Sequence, residues 1–153
     1  FKKLRERIPG LVLRTSLISG LPGEGEAEFE ELCEFLREAR IERAGVFPFS
    51  PEEGTPAAKM EFVDNETARE RAEKIQELQS GVMGEWEASL VGRTIPAICD
   101  GYDMESGEPY GRAYFDSPGI DGAVVFEGEV SPGDIVDIEV LSAAEGVLRG
   151  RVI

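Results

Sequence analysis

Histidine is absent from the 153 residues, and cysteine occurs only as Cys33 and Cys99. A structural zinc site or an iron–sulfur cluster needs three or four thiolates, or thiolates with histidines. Neither can be built from this set, and no CxxC pair is present. Both cysteines read as reduced, buried, small hydrophobes of a cytoplasmic protein. No apolar run approaches the ~20 residues that span a bilayer. The first ten residues, "FKKLRERIPG", carry charge but no apolar segment or cleavage site of a signal peptide. The chain also lacks an initiator methionine, so it is expected to be a piece of something longer.

Positive charge is scarce as well. The formal net charge is −15. From Ser89 onward there is no lysine, and twelve acidic residues face four arginines, a formal charge of −8. A surface of this sign disfavours nucleic-acid phosphate and favours solubility and basic partners. Hydrophobic residues at 41% and charged residues at 31% are a globular composition, enough for one ordinary domain or two small ones.

What is present falls into two patterns. "LVLRTSLISG" (11–20) reads as a strand ending in a glycine turn. Phe29, Leu32, Cys33 and Leu36 then recur at helical spacing, with acidic residues in the first turn and Arg37 and Arg40 in the last. "RAGVFPFSP" (43–51) is a second strand, and Pro51, Gly54 and Pro56 open a loop. Strand, helix, strand over this length predicts a βαβ unit with parallel strands. Such a unit alone cannot cover both faces of its sheet.

A second helix starts at Asp64 or Asn65, with Ala68, Ala72, Ile75, Gln79, Val82 and Trp86 along one stripe. After Ser89 the pattern becomes all-β. Five short strand candidates punctuated by glycines predict a small OB-like barrel. The fold class is therefore α/β plus all-β, divided as 1–62, a connecting helix 63–88, and 89–153.

"RTSLISGLPGE" with "FEEL" and "VFPFSPEEGTPA" resembles the last strands of the barrel in the radical S-adenosylmethionine methylthiotransferases. The stretch from about Leu90 onward resembles their C-terminal TRAM domain. "GRAYFDSPGIDGAVVF" and "PGDIVDIEV" are similar to the branch that methylthiolates an aspartate of the twelfth small-subunit ribosomal protein. The resemblance implies a parent enzyme using S-adenosylmethionine and two 4Fe–4S clusters. The cysteines that hold those clusters in the family are absent from these residues, so this chain alone is expected to hold no cofactor or metal and to be inactive.

The resemblance also implies site residues. A family segment of the form GxIxGxxE supports the cofactor's adenine, and Ser16, Ile18 and Gly20 fall on its first three marked positions. Ser16 replaces a glycine, and Glu24 lies one residue late. Ile18 offers an apolar contact, Val46 and Phe47 offer main-chain groups, and Arg14 offers a cation for the cofactor's carboxylate or ribose. Other readings stay open beside these: Ile18 and Val46 as plain core, Gly20 as a tight turn, Arg14 as an ion-pair partner. Trp86 reads as a packing anchor rather than a base-stacking platform.

In the barrel, Asp116, Asp121, Glu127 and Glu129 are expected to attract a basic ribosomal protein, while RNA and membrane binding are not expected. Asp116 and Asp121 have an equal alternative as turn caps. Two whole-chain alternatives also remain: a tRNA-modifying relative whose barrel binds RNA, and a non-catalytic interaction protein.

Overall fold

A computed structural model describes residues 1–153, which divide into two compact units, Phe1–Met83 and Gly84–Ile153. In the first unit, helix α1 (Lys2–Arg7) precedes strand β1 (Arg14–Ser19), helix α2 (Glu26–Ala39) and strand β2 (Arg43–Pro48). A single 3-10 turn (Ala57–Lys59) leads to the long helix α3 (Asn65–Ala88). β1 and β2 pair in parallel, with Leu17 opposite Val46 and Ile18 opposite Phe47.

Alternation along the strands sorts their side chains between two faces. Leu13, Leu17, Ala44 and Val46 turn toward a core of Phe29, Cys33, Leu36, Ile41 and Ile75 supplied by α2 and α3. Arg14, Ser16, Ile18, Gly45 and Phe47 are exposed.

Local chemistry fixes the ends of these elements. The Gly25 N–H donates to the Glu28 carboxylate at 2.9 Å, closing the first turn of α2. At the other end Arg5 donates to the carbonyls of Ala39 (2.6 Å) and Arg40 (2.7 Å) and pairs with Glu42. That places a cation on the negative pole of α2. Asp64 caps α3 by accepting from the Thr67 N–H at 2.8 Å, and this hydrogen bond holds its carboxyl below the usual range. The expected stripe of α3 is the buried one: Ala68, Ala72, Ile75, Gln79 and Val82 are buried and Trp86 half-buried.

The second unit is a closed barrel with strand order β3-β4-β5-β7-β6: β3 (Thr94–Tyr102), β4 (Pro109–Ala113), β5 (Ala123–Glu127), β6 (Ile135–Ala144) and β7 (Val147–Val152). All neighbours are antiparallel except β5 and β7. Ile95, Ala97, Cys99, Val124, Phe126, Ile138, Val140 and Leu148 fill its interior. A Cβ on Gly111 would stand 1.8 Å from the Ile98 carbonyl oxygen, so only glycine lets β4 approach β3 there. Trp86 packs edge-on against Phe115, ring centroids 4.9 Å apart, as a packing anchor.

Candidate functional site

The glycine turn after β1 is built around an ion pair between a buried arginine, Arg71, and a partly buried glutamate, Glu24. Glu24 accepts from the Gly20 N–H at 2.8 Å and from Arg71 at 2.9 Å. Arg71 also donates to the Glu24 carbonyl at 3.0 Å, reaches Glu26 at 3.2 Å, and lies over the Phe29 ring. The Arg71 side chain is only 6% exposed, so this pair is a structural joint between turn and helix. Ser19, fully buried, donates to the Ala68 carbonyl at 2.8 Å.

Gly20 belongs to the same joint. It is buried at φ +77, and a Cβ there would lie 2.6 Å from the Ala68 Cβ. Its missing side chain makes room for α3.

The other residues expected to contact a cofactor separate by face. Ile18 and Phe47 are neighbours across the strand pair and form an apolar shelf, 47% and 60% exposed. Ser16 lies opposite Gly45 on that face, and Arg14 follows at its start. The Val46 side chain points the other way, into the α2–α3 core, which leaves only its main chain for a ligand. A separate groove of about 830 Å³ between α2 and α3 has Phe29, Cys33 and Leu78 among its lining residues. None of the expected cofactor residues lines it. Burial raises the Cys33 thiol pKa.

The four barrel carboxylates also separate. Asp116 is half-buried and accepts from the Ala113 N–H at 3.0 Å. Asp121, also half-buried, accepts from the Ser117 N–H. Both hold the β4–β5 loop. Glu127 and Glu129 are exposed. Three barrel arginines have acidic partners: Arg112 with Asp100, Arg149 with Glu108, and Arg151 with Glu139.

Cluster ligation does not fit these residues. Cys33 and Cys99 are both buried, one in α2 and one in the barrel interior, and two thiolates do not complete a cluster's ligand set. For S-adenosylmethionine the Ile18–Phe47 shelf, with Arg14 on the same face, has the character of a platform for a flat ring and an anion.

A closed barrel of this order, matched over residues 91–153 by the TRAM domain model, makes the C-terminal part of the chain a TRAM domain. Nearly all 153 residues are also similar to proteins named ribosomal protein uS12 methylthiotransferase RimO. The protein from Anaeromyxobacter sp. (strain K) is 44% identical over 154 residues, 99% of this chain and 33% of the relative. That from Lachnoclostridium phytofermentans is 42% identical over 151 residues, 97% of this chain and 34% of the relative. That from Cellvibrio japonicus is 41% identical over 152 residues, 97% and 33%. The chain is thus homologous to the C-terminal part of the RimO proteins and spans about a third of their length. No helix is long and apolar enough to cross a membrane.

Proposed function

We propose that these residues act as the C-terminal part of a cytoplasmic enzyme that methylthiolates an aspartate of ribosomal protein uS12. One observation carries this reading: the similarity to RimO proteins covers 97–99% of the chain and therefore both units. In this reading residues 1–62 close a radical S-adenosylmethionine (β/α) barrel, 63–88 connect, and 89–153 are the TRAM domain. The strand pair β1–β2 supports it, because helices cover one face and the other stays open, as in two staves of a barrel wall.

The cofactor, when bound, supplies the methyl group and the radical chemistry. The roles of this chain are binding and positioning. Ile18 and Phe47 carry a ring, Arg14 and Ser16 offer polar groups on the same face, and Gly20 with Glu24 and Arg71 holds the turn at the strand's end. The cluster ligands of the whole enzyme lie outside these residues, and the chain by itself is inactive.

The TRAM barrel recruits the basic protein substrate, with Glu127 and Glu129 among its exposed carboxylates and Asp116 and Asp121 shaping the loop between β4 and β5. The acid-paired arginines favour protein over RNA as the partner, because phosphate binding needs cations not already engaged. The test is a graft. This chain replaces the C-terminal third of a RimO protein, and uS12 from cells lacking their own enzyme is weighed. Gain of one methylthio group on uS12 is expected; an unmodified uS12 with modified tRNA overturns the reading in favour of the tRNA-modifying branch.

A further inference from the structure

The β3–β4 hairpin has features that barrel closure does not require. Its tip residue Met104 is 99% exposed. Tyr102 and Tyr110, 51% and 40% exposed, flank the tip. Tyr110 pairs with Gly101, and Tyr102 pairs with Pro109, so alternation sets the two rings on opposite faces of the hairpin. The result is a wedge with an unbranched thioether at its point and an aromatic ring on either side.

The wedge is stiff. The Asp103 carboxylate accepts from the N–H groups of Glu105 (3.1 Å) and Ser106 (2.7 Å) and from the Ser106 hydroxyl (2.9 Å). Main-chain bonds join Asp103 to Glu108 and Gly107 to Asp103, each 2.9 Å. Arg149 grips Glu108 through two hydrogen bonds of 3.0 and 3.2 Å. The Tyr102 hydroxyl donates to the Val130 carbonyl at 2.8 Å, which fixes that ring. A turn whose backbone is already ordered loses little main-chain freedom on binding, so the main ordering cost is that of the Met104 rotamers. Met and Tyr are residues that protein interfaces enrich.

Charge specifies the partner. Residues 100–108, "DGYDMESGE", hold four carboxylates and no cation. Asp100 and Glu108 have arginine partners, whereas Asp103 and Glu105 flank Met104 in sequence and carry negative charge beside the apolar point. The complementary surface is an apolar socket rimmed by lysine or arginine.

We infer that the β3–β4 hairpin is the docking wedge by which the barrel engages a basic protein surface, with Met104 seated in an apolar socket. This rests on the reading of the barrel as a recruiter of basic uS12. Steering by Glu127 and Glu129 governs how fast the partner arrives, and the wedge governs how long it stays.

The test uses the full 153-residue chain and purified uS12 on a kinetic biosensor, with Met104→Ala, Met104→Leu and Met104→Asp. Met104 is solvent-exposed, so each variant is expected to keep the parent's circular dichroism. Met104→Ala should weaken binding about tenfold, mainly through faster dissociation. Met104→Leu conserves volume and should restore it. Met104→Asp is decisive because it adds the favourable sign of charge while removing the apolar point. The wedge predicts weaker binding, and attraction by charge alone predicts stronger.

Mild peroxide footprinting gives a second readout. Met104 should oxidise readily in the free chain and be protected in the complex, while Met60, 56% exposed and in the first unit, should not change. Undiminished binding by Met104→Asp, or an unprotected Met104 in the complex, overturns the wedge and leaves the recruiting barrel standing. No binding of the parent chain to uS12 at low salt overturns the recruiting barrel and the wedge with it. Protection of Met104 by tRNA instead overturns the choice of a protein partner.

Discussion

Gly20 and Ala68 meet so closely that a Cβ on the glycine would lie 2.6 Å from the alanine's methyl carbon. Gly20→Ala should therefore cost about 2 kcal/mol or more, from overpacking and from its φ of +77. Gly23 has a similar φ of +86 but open space around it, so Gly23→Ala should cost only about 1 kcal/mol. Urea unfolding of both variants separates packing from backbone strain. Adding Ala68→Gly should recover part of the Gly20→Ala loss and none of the Gly23→Ala loss.

Arg71 is the hub of the same turn, so Arg71→Met should destabilise the first unit by about 3 kcal/mol, leaving the Glu24 carboxylate partly buried without its cation. Arg71→Lys should recover only part, because one ammonium cannot reach the Glu24 carbonyl, Glu24 carboxylate and Glu26 with the geometry of a guanidinium fork. Equal stability of the methionine variant and the parent in denaturant would refute this role.

The Arg149–Glu108 clasp predicts a pH signature. The hydrogen bond from Arg149 holds the Glu108 carboxyl below its ordinary value of 4.5. A depressed folded pKa gives stability that is fully present above the unfolded value and lost as pH falls through the folded one. NMR titration should find the Glu108 midpoint below 4.5 in the parent and near it in Arg149→Gln. Between these pH values the parent should lose stability more steeply than the variant. A midpoint unmoved by the substitution would remove the clasp from the list of forces stiffening the hairpin.

Both thiols should be silent in the native protein. Cys33 and Cys99 are buried, and desolvation disfavours the reactive thiolate at Cys33. A disulfide reagent should modify them slowly under native conditions and at once in denaturant. Rapid native labelling of Cys33 would mean that α2 and α3 part readily.

Periodicity made most of the elements visible beforehand. The three- and four-residue spacing of Phe29, Leu32, Cys33 and Leu36 sets α2 against the core, and the stripe from Ala68 to Val82 sets α3. Turn glycines delimited all five barrel strands. Helix α1 leaves no periodic signal because "KKLRER" has no apolar face of its own; its place depends on Arg5 reaching Ala39, Arg40 and Glu42. The role of Arg71 is hidden for a related reason. One arginine among many charged residues of a helix looks solvated, and its partner Glu24 lies 47 residues away. Gly20 carried a turn signal, but nothing local announces that Ala68 will press against it. The opposed faces of Ile18 and Val46 follow from the pairing of Leu17 with Val46, a register that the spacing of two short strands leaves undetermined.

The position of β7 between β5 and β6 bears on how the barrel is made. Its six residues, Val147–Val152, complete two ladders at once, one parallel and one antiparallel. A ribosome delivers them last among the strands, so until they emerge β5 and β6 each present an unpaired edge. A chain terminated at Gly146 would carry those edges permanently, as templates for intermolecular pairing. A stop or frameshift at the codons for β7 should therefore act through aggregation and degradation, although it removes none of the barrel carboxylates or hairpin residues assigned to binding.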